Sequence, residues 1–91
     1  MSDLTLTSAL RLHPRVSIRP EPFGALLYHF GTRQLSFLKS PQLLAVVEAV
    51  GDADSVGDAL TGAGVRDEDV PAYLRALETL RSSEMLVERA A

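Results

Sequence analysis

Two histidines are the first candidates for chemistry in this chain of 91 residues, because imidazole binds metals and transfers protons near neutral pH. His13 and His29 stand 16 positions apart, and neither has a carboxylate cluster at helical spacing beside it. A zinc site needs three or four ligands that converge, and the chain has no cysteine to supply a thiolate. The sequence therefore predicts no bound metal, and it predicts that the histidines are polar residues at the edge of a sheet.

The other reactive side chains follow structural patterns and not catalytic ones. Six carboxylates between Asp52 and Asp69 stand where helix caps and the positive ends of helix dipoles explain them. No serine lies in a Gly-x-Ser-x-Gly motif, and Gly62-Ala63-Gly64 lacks the third glycine and the preceding strand of a dinucleotide site. We therefore expect a protein that is not an enzyme and that binds no cofactor.

The composition indicates a single folded domain over residues 1–91. Hydrophobic residues make up 46% of the chain and charged residues 23%, which is ordinary for a globular protein. The first residues contain no basic segment followed by an apolar one, and no apolar run approaches the length of a membrane span. We expect a cytoplasmic monomer that makes no contact with membranes.

The first half of the chain has the patterns of strands. We expect residues 1–14 to form a mobile N-terminal segment and residues 15–38 to form a sheet. Polar and apolar residues alternate over Arg15–Arg19, which is typical of a half-buried strand. The apolar run Gly24–Phe30, a short turn and the segment Gln34–Leu38 predict a hairpin that supplies the second and third strands.

The second half has the patterns of helices over residues 40–83. Ser40-Pro41 is a helix start, since serine caps free N–H groups and proline fits the first helical position. Asp54-Ser55 predicts the start of a short second helix, and a third is expected from Asp67 to about Ser83. Residues 84–91 form a tail in which Met85–Val87 is extended and packs back onto the domain. The predicted fold class is α+β, with a three-stranded antiparallel sheet followed by three helices, similar to a winged helix-turn-helix.

Charge is divided between the two halves, with a net +3 over residues 1–39 and −6 over residues 40–91. A winged helix-turn-helix could bind DNA through its third helix, which makes a transcriptional regulator the alternative function. That helix, with its start, is net −2, whereas DNA binding depends on cations that neutralise phosphates. We therefore expect no nucleic acid partner. The free edge of a small sheet is the other candidate surface, because it accepts an extended peptide as an added strand.

Several segments carry a family resemblance that spans Leu10 to Val87. They are Leu10–Val16 (LRLHPRV), Gln34–Leu38 (QLSFL), Ser55–Leu60 (SVGDAL), Asp69–Leu74 (DVPAYL) and Met85–Val87 (MLV). This succession resembles the pyrroloquinoline quinone biosynthesis protein D family, and within it the branch of mycofactocin-system peptide chaperones. One departure is Ser83-Glu84-Met85, where relatives often have a glycine before the final apolar pair.

The resemblance implies a domain that binds the leader of a ribosomally made precursor peptide and delivers it to a radical S-adenosylmethionine enzyme. In such domains the leader, which is acidic in the mycofactocin type, adds as a strand beside the third strand. It lies in the groove between that strand and the third helix. Carried onto this sequence, the implied peptide-binding residues are Arg33, Gln34, Leu35, Ser36, Phe37 and Leu38 from the strand, and Tyr73, Leu74, Leu77 and Arg81 from the helix.

Overall fold

A computed structural model describes residues 4–89 of the chain. The elements are β1 (Leu10–Leu12), β2 (Val16–Glu21), β3 (Gly24–His29), β4 (Leu35–Leu38), α1 (Pro41–Ala49), α2 (Val56–Gly62), α3 (Val70–Ser82) and β5 (Leu86–Glu88). A single 3₁₀ turn, Asp67–Asp69, leads into α3. The antiparallel sheet β2-β3-β4 and the three helices confirm the predicted α+β fold class.

The central strand β3 fixes which side of the sheet faces the helices. Ala25 and Leu27 of β3 are fully buried, as is Leu38 of β4, which lies opposite Ala25. Because side chains alternate along a strand, the residues between them point away from the core. The core therefore lies on one side of the sheet, where α1 contributes Val46 and other apolar residues.

Two of the three predicted helix starts are confirmed by capping hydrogen bonds, whereas α3 begins at Val70, three residues after the predicted start, and has no side-chain cap. The backbone N–H of Leu43 donates to Ser40 Oγ at 3.0 Å, and the N–H of Asp58 donates to Ser55 Oγ at 3.2 Å. Each bond satisfies one of the free N–H groups at the start of a helix, and such a cap contributes about 1 kcal/mol. None of the helices in residues 4–89 is both long and apolar enough to cross a membrane.

A second sheet joins the two ends of the described chain, and its first strand, β1, was not predicted. Residues 10–12, placed in the expected mobile segment, form β1 and pair antiparallel with β5, with Leu10 opposite Glu88. Leu10 is fully buried. A strand of three residues is too short to show a period, and its partner lies more than seventy residues away in the sequence. Residues 1–3 and 90–91, which belong to the predicted N-terminal segment and tail, lie outside the described residues.

The turn between α3 and β5 explains the departure at Ser83-Glu84-Met85. Glu84 has a φ of 63°, the left-handed conformation that glycine adopts at little cost. The next residue, Met85, is fully buried, and its N–H donates to Leu80 O at 2.9 Å. Glu84 therefore makes the turn at some cost in backbone strain, and the turn still brings β5 into its pairing with β1.

Candidate binding groove

No strand within residues 4–89 pairs with the outward edge of β4, so this edge can bind an added strand. The N–H of His29 donates to Gln34 O at 3.0 Å, which identifies residues 29 and 34 as a hydrogen-bonded pair of the β3–β4 ladder. Hydrogen-bonded pairs alternate in antiparallel strands, so Ser36 and Leu38 bond to β3. The backbone N–H and C=O groups of Leu35 and Phe37 therefore point to the open edge.

The opposite edge of the sheet, on β2, is less receptive. By the same alternation its outward positions are Val16, Ile18 and Pro20. The N–H of Val16 already donates to His13 O at 2.9 Å, and proline has no N–H to donate. The two edges thus differ, and β4 is the one that can form successive hydrogen bonds with a peptide.

A groove runs between β4 and α3 and consists of two adjoining depressions. The larger, of about 380 Å³, is lined on the strand side by residues 35–39 and on the helix side by Ala76, Thr79 and Leu80. The smaller, of about 180 Å³, continues past Ala72 and Tyr73. Lys39, Leu43 and Ala76 line both. We call the two together the β4–α3 groove.

Small side chains on α3 keep the groove open. Ala72, Ala76 and Thr79 recur at positions i, i+4 and i+7, so they form one stripe along the helix beside β4. A neighbouring strand needs about 5 Å of lateral space, which large side chains would fill. This stripe was not predicted, although its spacing, next to the buried Leu77 and Leu80 of the same helix, is a signal that could have found it.

Tyr73 is held at one end of the groove by α1. Its hydroxyl donates to Gln42 Oε1 at 2.8 Å, and Gln42 Nε2 donates to Ala63 O at 3.2 Å beyond α2. The ring is partly buried and lines the smaller depression. This arrangement gives the groove an aromatic wall with a fixed orientation.

The structure brings together only part of the predicted site. The strand residues Leu35–Leu38 and the helix residue Tyr73 all line the groove, and Arg33 and Gln34 lie in the turn that precedes β4. Leu77 is fully buried in the core and does not line the groove. Leu74 and Arg81 line separate depressions on the other flank of α3. Leu74, Leu77 and Arg81 thus do not line the groove. The helix residues that do line it include the residue directly before each of them, which are Tyr73, Ala76 and Leu80.

Arg81 belongs to an ion-pair network away from the groove. Its guanidinium contacts Glu78 at 2.6 Å and Glu88 of β5 at 3.3 Å. The hydrogen bond from Arg81, helped by the backbone N–H of Leu4, lowers the pKa of Glu78. The network links α3 to both ends of the described chain.

The two histidines have structural roles in the described chain. Their rings lie 4.3 Å apart between centroids, and His29 Nδ1 accepts hydrogen bonds from the N–H groups of Gly31 and Thr32. His29 therefore organises the turn that leads to β4. Within residues 4–89 no three histidine or acidic side chains gather as a metal site would require.

Comparisons with known proteins found a matching family and three relatives. Residues 9–87 match the model of the peptide chaperone MftB family. Three relatives carry the name peptide chaperone MftB. That of Mycobacterium tuberculosis is 60% identical over 87% of this chain and 72% of its own length. Those of Mycobacterium ulcerans and Mycolicibacterium smegmatis are 56% and 54% identical, over 89% and 85% of this chain and 74% and 76% of their own. No solved structure gave a significant match.

Proposed function

We propose that this chain, which belongs to the peptide chaperone MftB family, binds the leader of a ribosomally made precursor peptide in mycofactocin biosynthesis. It then presents the bound precursor to a radical S-adenosylmethionine maturase. The observation that carries the proposal is the free edge of β4 beside an open groove, since this combination fits one extended strand.

Backbone hydrogen bonds would supply the register of the peptide. The N–H and C=O groups of Leu35 and Phe37 offer two donors and two acceptors along the edge. Peptide side chains that alternate toward the groove would contact Leu43, Tyr73 and Leu80, which are the largest apolar residues that the helices contribute to its lining. Backbone contacts would thus provide general affinity, and these side chains would provide selectivity.

The charge near the groove favours an acidic leader. Lys39 lines both depressions, and Arg33 stands in the turn at the other end of β4. Exposed ion pairs contribute at most about 1 kcal/mol each and act mainly on the rate of association. Arg81, in contrast, is engaged by Glu78 and Glu88 on the other flank of α3, so we do not assign it a peptide contact.

The protein would act by binding alone. The relatives are named as chaperones and not as enzymes, and the groove is lined by apolar, small and hydroxyl side chains with one lysine. We propose that it works as a monomer in the cytoplasm, where the ribosome makes the precursor, and that it needs no cofactor or metal of its own.

A titration of the isotope-labelled protein with the precursor peptide tests this function. We expect amide shifts at residues 35–39 and at 72–80, and a peptide of the same composition in scrambled order should cause much smaller shifts. Saturation without shifts in either segment would contradict the proposed groove. Titration with duplex DNA at about 150 mM salt tests the alternative, since specific binding at that salt would favour a transcriptional regulator.

A further inference from the structure

The side of the sheet that faces away from the helices is unusually apolar. The structure describes five exposed large hydrophobic residues, and four of them lie here: Phe23 (47% exposed), Phe30 (54%), Leu35 (59%) and Phe37 (60%). The partly exposed Leu26 and Tyr28 lie between them. We call these six residues the outer face. A continuous exposed patch of this kind on a small protein indicates an interaction surface.

The six side chains form one connected surface. Leu26 lies opposite Phe37 and Tyr28 lies opposite Leu35 across the β3–β4 ladder. The rings of Phe23 and Phe37 are 6.3 Å apart, and those of Tyr28 and Phe30 meet edge-on at 4.8 Å. These contacts hold the aromatic rings in place in the free protein, which lowers the entropy cost of binding a partner.

Basic residues border the outer face. By the alternation of β2, Arg15 and Arg19 lie on this side of the sheet, and Arg33 stands at the turn before β4. Residues 4–39 carry five cations and a single carboxylate, Glu21, which pairs with Arg19 at 3.1 Å. A complementary partner therefore has an apolar patch bordered by acidic residues. A second copy of this chain fits poorly, because a two-fold contact would place the basic borders against each other.

The outer face is continuous with the edge that would receive the peptide. A strand added to β4 extends the same sheet, so every second peptide side chain would lie on the outer face beside Leu35 and Phe37. A protein docked there would touch chaperone and peptide together. The peptide-modifying enzyme is the partner that needs this arrangement.

We propose that the outer face is the docking surface for the enzyme that modifies the peptide, an inference that rests on the proposed function. The enzyme contributes an apolar patch with an acidic border. Because the bound peptide completes the surface, the peptide raises the affinity for the enzyme, and the enzyme raises the affinity for the peptide by the same factor.

The test uses the double substitution Phe23→Ser with Phe30→Ser. Both residues lie on the outer face, and neither lines the β4–α3 groove. The matched control is Leu6→Ser, because Leu6 is also exposed (45%) but lies outside the sheet. Isothermal titration measures two affinities for each protein: for the precursor peptide, and for the radical S-adenosylmethionine maturase with the peptide at saturation. Circular dichroism verifies that each variant is folded.

We expect the double variant to bind the maturase at least about tenfold more weakly, as for the loss of aromatic anchors, and to bind the peptide within about twofold of the wild type. The control should match the wild type in both affinities. Unchanged affinity for the maturase in the folded double variant would overturn the docking surface while leaving peptide binding intact. Failure of the wild type to bind the peptide would instead contradict the proposed function. A wild-type dimer that the double variant converts to a monomer would show self-association and would also overturn the inference.

Discussion

The substitution Phe37→Pro tests peptide binding at the edge of β4 without removing a hydrogen bond of the sheet. The Phe37 N–H points to the open edge, whereas Ser36 and Leu38 form the ladder with β3. Phe37→Pro therefore removes a donor offered to the peptide and leaves the ladder with β3 complete. Proline is tolerated on an edge strand in this orientation, and the preceding residue is already extended.

The magnitude follows from the single lost hydrogen bond. A peptide carbonyl left without its donor in a partly buried groove costs about 1–3 kcal/mol. A central value of about 2 kcal/mol corresponds to about thirtyfold weaker binding. Phe37→Ala is the matched control, since it removes the same side chain but keeps the N–H. We expect a clear difference between the two variants in calorimetric affinity for the precursor peptide, with the proline variant weaker.

Ser36→Pro is a second control in the same strand, because it should affect the stability of the fold more than Phe37→Pro does. Its N–H bonds to β3, so proline there should reduce the free energy of unfolding, measured by urea denaturation, more than Phe37→Pro does. Equal peptide affinities for Phe37→Pro and Phe37→Ala in folded proteins would refute the assignment of the β4 edge as the peptide site.

Four further predictions concern stability and selectivity. Leu10→Ala should lower the free energy of unfolding by about 2–5 kcal/mol in urea, because Leu10 is fully buried. Glu84→Gly should raise it by about 1 kcal/mol in the same assay, since Glu84 has a φ of 63°. The hydrogen bond from Arg81 lowers the pKa of Glu78 below the ordinary value of a glutamate, so this carboxylate stabilises the fold above that ordinary pKa and ceases to do so as the pH falls through its folded pKa. The stability difference between wild type and Glu78→Gln should accordingly shrink in acid, as measured by denaturation at several pH values. Tyr73→Ala should weaken precursor binding about thirtyfold, whereas Tyr73→Phe, which keeps the ring, should lose much less in the same calorimetric assay.

Features encoded by neighbouring residues were predictable from the sequence. The caps at Ser40 and Ser55 and the hairpin of β3 and β4 each depend on a few consecutive residues, and all three are confirmed. The pairing of β1 with β5 depends on residues at opposite ends of the chain, and no local pattern encodes it. The family resemblance predicted a groove between β4 and α3, because the family pattern spans both of these elements.

The residues that α3 contributes to the groove could not be predicted from the sequence alone. The third helix was predicted, but which of its flanks faces β4 depends on how the helix is rotated against the sheet. One residue along a helix corresponds to about 100° of rotation. A shift of that size separates Ala76 and Leu80, which line the groove, from Leu77 and Arg81, which do not. The rotation is decided by packing of the whole core, including Met85 and Leu86 beyond the helix.

Amide hydrogen exchange at β4 is the most direct test of the central claim that a peptide adds to this edge. In the free protein the amides of Ser36 and Leu38, which bond to β3, should be protected, and those of Leu35 and Phe37 should exchange rapidly. In complex with saturating precursor peptide, Leu35 and Phe37 should become protected as well. Exchange of these two amides at the same rapid rate in the free protein and in the complex would contradict strand addition at β4.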